Sequence, residues 1–315
     1  MRFLNTLKAC SLPHNPARKS RVITTVLCLL CVGLAAAQRA EVFAEPKMKR
    51  SGKRPLKTFR LEKAIAEGSG MVAWNGQLWT HNDSDTPKLF ALDTAGAKIV
   101  ATYDLPLKNR DWEDLGQDND YFYLGNFGNN AHRVDTVQIY RIGKNSLLQR
   151  KPSIDTIAFT WPETMTDGTP ERTNFDCEAM AVVGDSICLF TKEWQHGHRT
   201  RVFTLPKTPG KWTAHYRYTL ETRILITGAS YDEASRQLVL CGYNMLLRPF
   251  LLVFPETEGT DFFAGPGRKI KIRRRFRQME GVATFNGLDY YVINEGFRKF
   301  FVHTTPRIYK IRVGK

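Results

Sequence analysis

Residues 69–76 read Ser-Gly-Met-Val-Ala-Trp-Asn-Gly, and residues 280–287 read Glu-Gly-Val-Ala-Thr-Phe-Asn-Gly. Both run from a polar residue through Gly and alternating apolar residues to Asn-Gly, a strong signal for a tight hairpin turn. Three other stretches fit the same frame, starting at Glu113 (EDLGQDND), Glu178 (EAMAVVGD) and Thr227 (TGASYDEASRQ). Each copy is followed by a second strand-like run: QLWTHND, YFYLGNFG, SICLFTKE, QLVLCGYN and DYYVINEG. A third run follows in every copy (KLFALDT, VQIYRIG, RVFTLPK, PFLLVFP, RIYKIRV), and copies one to four add a fourth, such as KIVATYDL or RKIKIRR. The copies start 44, 65, 49 and 53 residues apart. Four-stranded units of that length are propeller blades. The fifth copy stops after three strands, and Pro55 to Glu62 (PLKTFRLE) offers the missing one. The sequence therefore predicts an all-β, five-bladed β-propeller closed by an N-terminal strand, or six blades if residues 144–176 hide a degenerate unit. A plain sandwich gives no reason for five copies of one two-strand core.

The rest of the chain sets the context. Of 315 residues, 46 are Lys or Arg and 31 Asp or Glu, a formal charge of +15; the hydrophobic share of 42% excludes a disordered chain. Residues 1–37 read as a signal peptide. Arg2, Lys8, Arg18, Lys19 and Arg21 precede a 16-residue apolar run, Val22 to Ala37, ending in three alanines. The run is short for a membrane span, so cleavage is expected, with no stable span afterwards. Cleavage removes five basic and no acidic residues, leaving +10. It leaves Cys177, Cys188 and Cys241, an odd number that implies no disulfide framework. Residues 38–53 are expected to be a flexible lead-in and 54–315 a single propeller domain. The location expected is exported, periplasmic or secreted. A basic exported monomer suits an anionic small molecule or a cell-envelope polymer rather than nucleic acid.

In a propeller, the first strand of each blade lines the central channel. The strand starts gather Ser69, Glu113, Glu178, Thr227 and Glu280 around one axis. Three carboxylates and two hydroxyls so placed need protons or a shared cation. An all-oxygen set suits Ca²⁺, whereas no clustered His or Cys suggests zinc. The alternative is polar strand starts that solvate a water-filled channel. Second-strand ends form a rim over the same mouth: His81, Asn82, Asp83, Asn126, Asn129, Lys192, Glu193, Tyr243, Asn244, Asn294 and Glu295. Asp83 and Glu193 are candidate bases, and Lys192 a charge for a phosphate or carboxylate. Of the others, His81, Asn82, Asn126, Tyr243, Asn244, Asn294 and Glu295 are candidate substrate contacts, although Asp, Asn and Gly at strand ends also serve as turn formers.

This pattern resembles the five-bladed propeller of the calcium-activated nucleotidases, or secreted apyrases. There, axial Ser, Glu, Glu, Ser and Glu, one per blade, bind a central Ca²⁺; here Thr227 stands where the second Ser would be. The stretch GMVAWNGQLWTHND is similar to that family's first-blade strand pair, which makes Asp83 an active-site acid and puts Asn82 in place of another. DWEDLGQDNDYFYLGNFG is similar to its second-blade core. The family's Lys-Glu-Trp after the second-blade strand is missing there; Lys192-Glu193-Trp194 stands one blade later. The chain also resembles exported bacterial propellers to which no activity is attached. The resemblance implies calcium binding and hydrolysis of phosphorylated small molecules. The rival expectation is a non-enzymatic binding propeller whose axial ion is structural and whose mouth recognises a glycan, peptide or envelope partner.

Other features are weaker. The basic run Arg268 to Arg277 alternates as an outermost blade strand would, with adhesion to acidic polymers as the second possibility. His196 and His198 sit in a turn, and Thr164 to Asn174 is a polar insertion placed to overhang the mouth.

Overall fold

The computed structural model describes residues 43–44, 46–84, 86–129, 136–162, 175–193, 199–255, 259–299 and 302–314. The leader, the 196–198 turn and the 164–174 insertion lie outside the described residues. Among the described residues no helix is long and apolar enough to cross a membrane.

Five antiparallel sheets follow one another along the chain. Blade one comprises Gly68–Trp74, Gln77–Asn82, Lys88–Leu92 and Ile99–Asp104; blade two, Asp114–Gln117, Tyr121–Asn126, Thr136–Gly143 and Ile154–Thr160. Blade three is Cys177–Val183, Ser186–Thr191, Arg199–Pro206 and His215–Glu221; blade four, Leu225–Asp232, Gln237–Tyr243, Pro249–Phe254 and Gly267–Ile272. Blade five takes Met279–Thr284, Asp289–Asn294 and Arg307–Arg312 from the C-terminal end and Lys57–Arg60 from the other. The closing strand pairs antiparallel, Phe59 opposite Ile308. Residues 144–162 hold a short helix, Lys144–Leu148, and blade two's fourth strand, so the sixth unit does not arise.

The core is divided among the five seams between blades. Val239, Leu251, Ile270, Val292, Tyr309 and Ile311 fill the seam between blades four and five. Phe59 and Leu61 join Met71, Phe90, Ile293 and Ile308 between blades five and one, so the N-terminal strand contributes to the joint that closes the ring. Both faces of an inner strand meet a neighbouring blade. Gln237–Tyr243 and Asp289–Asn294 are therefore buried throughout rather than at alternate positions.

The structure departs from the sequence reading in three places. Residues 38–53, expected as a flexible lead-in, contain two strands. Phe43–Ala44 pairs parallel with blade three's outer strand, and Met48–Lys53 pairs parallel with Gly267–Ile272 of blade four. The segment lacks apolar alternation because it lies on the outside and gains order from edge hydrogen bonds. For the same reason the Arg268–Arg277 run is not outermost: Met48–Lys53 covers it. Third, the two Asn-Gly pairs differ. Asn75 and Gly76 both have positive φ, +49° and +72°, in a two-residue turn with Trp74 opposite Gln77. Around Gly287 the loop is longer, and Asn286 Oδ1 accepts the N–H groups of Leu288 and Asp289. Cys177, Cys188 and Cys241 are buried free thiols.

Candidate functional site at the axial mouth

At the start of four first strands the register with the second strand slips by one residue. The extra residues are Gly70, Glu178, Thr227 and Glu280. A bulge of this kind turns the local backbone and re-aims its side chain, which is how neighbouring polar residues come to face one axis. Ser69, Glu113, Glu178, Thr227 and Glu280 are all buried. The two hydroxyls also tie blades together. Ser69 Oγ donates to the Glu113 carbonyl at 2.6 Å, and Thr227 Oγ1 donates to the Met279 carbonyl.

Just below this level the axis is pinched shut. A Cβ on Gly281 would lie 2.8 Å from the Gly70 carbonyl carbon, and one on Gly228 would lie 2.9 Å from Gly281 Cα. Glycine after the marker residue is thus a packing requirement in blades one, four and five. Blade two has Asp114 there instead. Its fully buried carboxylate crosses to the neighbouring blades, where Oδ2 accepts from Met180 N at 2.8 Å and Ala229 N at 3.1 Å. Burial pushes its pKa well up, against the pull of those backbone donors.

Above the pinch, acids converge. Glu113 and Glu280 are pushed well above the ordinary carboxylate range by burial, then by their neighbours: Glu178 and Asp111 for Glu113, Glu295 and Glu178 for Glu280. Burial, then Glu67 and Glu295, raises Asp83 to about 7; burial raises Glu295 to about 7; burial and then Glu178 raise Asp176 to about 8. One ammonium stands among them. Lys192 Nζ donates to Glu178 Oε1 at 2.9 Å, both side chains nearly inaccessible. Burial works against that charge, but Glu178, Glu280 and Glu113 outweigh it and hold the lysine protonated.

Tyr243 is buried in the same group, beside Glu280 and Lys192. Asn82 Oδ1, Asp83 Oδ1, Asp176 Oδ2 and Asn294 Oδ1 are buried oxygens with no hydrogen-bond partner. These donors have the chemistry of a hard-cation site. Among the described residues, though, no three His, Cys, Asp or Glu side chains stand at metal-holding spacing.

Several rim candidates have structural roles. His81 is fully buried, its Nδ1 donating to the Asn82 carbonyl at 3.0 Å, and burial lowers its pKa to about 4. It is a neutral seam histidine rather than a substrate contact. Asn126 Oδ1 accepts Arg110 N and Asp111 N, and Asn244 Oδ1 accepts Leu246 N and Arg248 N; both hold loops. Glu193 is clamped by Arg201 Nη1 at 2.9 Å and by Thr191 Oγ1. The Asn129 backbone N–H donates to Asp176 Oδ1. Three acids in the group escaped sequence reading: Glu67, Asp111 and Asp176. Each stands two residues before its blade's marker (Glu67/Ser69, Asp111/Glu113, Asp176/Glu178), a repeat-to-repeat signal that was available.

These pKa directions give a pH profile for the metal-free protein. Asp83, Glu295 and Asp176 bind protons more tightly folded than unfolded, so their stabilisation is complete at low pH and lost as pH rises through about 7 to 8. His81 works oppositely, but only below its ordinary value of 6.5. The melting temperature should therefore fall between pH 6.5 and 8. A rise across that window contradicts the clustering.

The opposite end of the axis holds a cavity of about 550 Å³ lined by Trp74, Gln117, Lys144, Tyr231 and Phe285 among others. Its two lysines are engaged: Lys144 donates to Gln117 Oε1 and the Asp118 carbonyl, and Lys207 pairs with Asp118. Among the described residues, the acids with raised pKa values lie at the first mouth and at the pinch below it, whereas Asp118 in this cavity is lowered by its hydrogen bonds.

No protein-family model matches the chain, and no curated protein matches it. Among solved structures, it is similar to the β-propeller domain of Myceliophteria thermophila Cps50 (Swd1), at 9% identity and a TM-score of 0.42, over 83% of this chain and 100% of that one. The strand pairing of the chain itself makes it a five-bladed β-propeller.

Proposed function

We propose that the acidic mouth is the working site of an exported hydrolase of phosphorylated small molecules, and that it operates with bound Ca²⁺. The observation that carries this reading is the convergence of buried acids from four blades on one mouth, with Asp83 and Glu295 raised to about 7. Carboxyls poised near neutrality suit general acid–base work, and such displaced values gather at functional sites. Glu113, Glu178 and Glu280 would hold the ion, with Ser69 and Thr227 oxygens beside them. Their hydroxyl protons are spent on carbonyls, which leaves oxygen lone pairs for a cation. When bound, Ca²⁺ supplies charge that relieves the carboxylate repulsion and attracts a phosphoryl group. Asp83, half-buried at the rim, takes the proton from the attacking water, and Lys192 contributes a second positive charge.

One observation favours a non-enzymatic binding propeller. The Lys192–Glu178 pair already neutralises part of the axis, so the fold has its own cation there.

Two measurements test the proposal. Calcium should raise the melting temperature and a chelator lower it. Phosphate release should be detected in a screen over nucleotides and sugar phosphates, with Asp83→Asn reducing turnover by about 10²–10⁴-fold at little cost in melting temperature. No phosphate release with calcium stabilisation intact favours the binding propeller. An unchanged melting temperature in calcium and chelator, with no turnover, ends both calcium readings.

A further inference from the structure

The N-terminal segment that covers blade four brings a second basic strand against the first. Met48–Lys53 runs parallel to Gly267–Ile272, so both strands end on the same side. Lys47, Lys49, Arg50, Lys53 and Arg54 thereby join Arg268, Lys269, Lys271, Arg273, Arg274, Arg275 and Arg277, with no acidic residue in 46–61 or 262–279. Among the described residues, none of these twelve side chains is in an ion pair. Where the strands end, a groove of about 630 Å³ opens between Ser51, Gly52, Lys271 and Arg273–Arg275.

Large apolar side chains flank that groove. Met245 is 58%, Leu246 62% and Phe276 48% exposed. Their two loops are bound together by Arg277 N donating to the Leu247 carbonyl at 3.1 Å, and Arg273 N donates to the Lys53 carbonyl at 2.8 Å, which ties the second loop to the N-terminal strand. Phe276 and Leu247 both sit at positive φ, +54° and +50°. That conformation is unfavourable for bulky residues, and it holds an aromatic ring outward instead of folding it onto the blade. Cations alone fit any polyanion. Cations around exposed apolar tips fit a bilayer surface, whose anionic headgroups meet the charges while its acyl boundary takes up the tips.

We infer that this end of blade four docks on an anionic lipid bilayer, with Lys53, Arg273 and Arg275 meeting headgroups and Met245, Leu246 and Phe276 entering the interface. The surface lies on the same face as the acidic mouth, because it is continuous with the turn into Met279, the start of blade five's axial strand. Docking therefore directs the mouth toward the membrane. The inference is independent of hydrolysis.

The test uses the full chain with vesicles of phosphatidylcholine alone and with added phosphatidylglycerol. Co-sedimentation should require phosphatidylglycerol and weaken with salt. The triple variant Lys53→Ala, Arg273→Ala, Arg275→Ala should bind about a hundredfold more weakly. Leu246→Ser with Phe276→Ser, which leaves every charge in place, should weaken binding about tenfold. Amide exchange at 245–247 and 273–277 should slow on the anionic vesicles. Equal binding by the triple variant, or unchanged exchange in those loops, overturns the inference, since the apolar leader would then be the membrane-binding element. So does an undiminished Leu246/Phe276 double variant, which would leave a general polyanion site.

Discussion

Asp114→Ala should cost about 3–9 kcal/mol of folding stability, because it strands three buried N–H groups, those of Leu115, Met180 and Ala229, at about 1–3 kcal/mol each. Met180 N and Ala229 N come from blades three and four, and the carboxylate that serves both comes from blade two. The glycines of blades one, four and five pack closely against their neighbours at that level. Asp114→Asn should lose less: its amide oxygen can still accept, while its NH₂ adds a donor among donors. Chemical denaturation of the three proteins checks the order. An alanine variant within about 0.5 kcal/mol of the parent would mean that the crossing bonds contribute no net stability.

Lys192→Met should be the second large effect. Removing one partner of a buried ion pair costs about 3–5 kcal/mol, because the other charge stays buried and uncompensated. Here the stranded charge is Glu178, with Glu113 and Asp176 close by. Two conditions should reduce the loss. At lower pH the surrounding acid cluster carries less negative charge for the missing ammonium to offset. Millimolar calcium should also restore stability if the cation can enter where the lysine stood. Melting curves at two pH values, with and without calcium, separate these. A loss insensitive to both would mean that Lys192 acts through the packing of its chain and not through its charge.

The two variants show which parts of the molecule were legible in the sequence. The five-fold repeat was legible because hydrophobic alternation and turn residues recur wherever a blade recurs. The closing strand Lys57–Arg60 was legible as the piece that the fifth copy lacked. Asp114 was not: in EDLGQ it is one more polar residue at a strand start, and only the folded geometry carries its side chain across the axis to blades three and four. Lys192 was legible as a charge at the mouth, but its partner Glu178 lies fourteen residues back, in the adjacent strand. His81, Asn126 and Asn244 were read from their type and position, whereas their hydrogen bonds put them in a seam and two loops. The parallel strand Met48–Lys53 had no signature to read, since an edge pairing uses main-chain groups that every residue carries.

That edge pairing bears on the order in which the molecule assembles. Residues 43–60 lie along the outer edges of blades three, four and five in turn. They leave the ribosome before any of those blades exists, and the last strand they need, Arg307–Arg312, is made about 250 residues later. The segment must therefore wait, unpaired, through the synthesis of nearly everything else, and then seat across three sheets. Ring closure is thus a late step with contacts as distant in sequence as the chain permits, the kind that folds slowly. A nascent molecule carries its fastening strap loose, with the strap's basic residues free to meet whatever anionic surface is nearest.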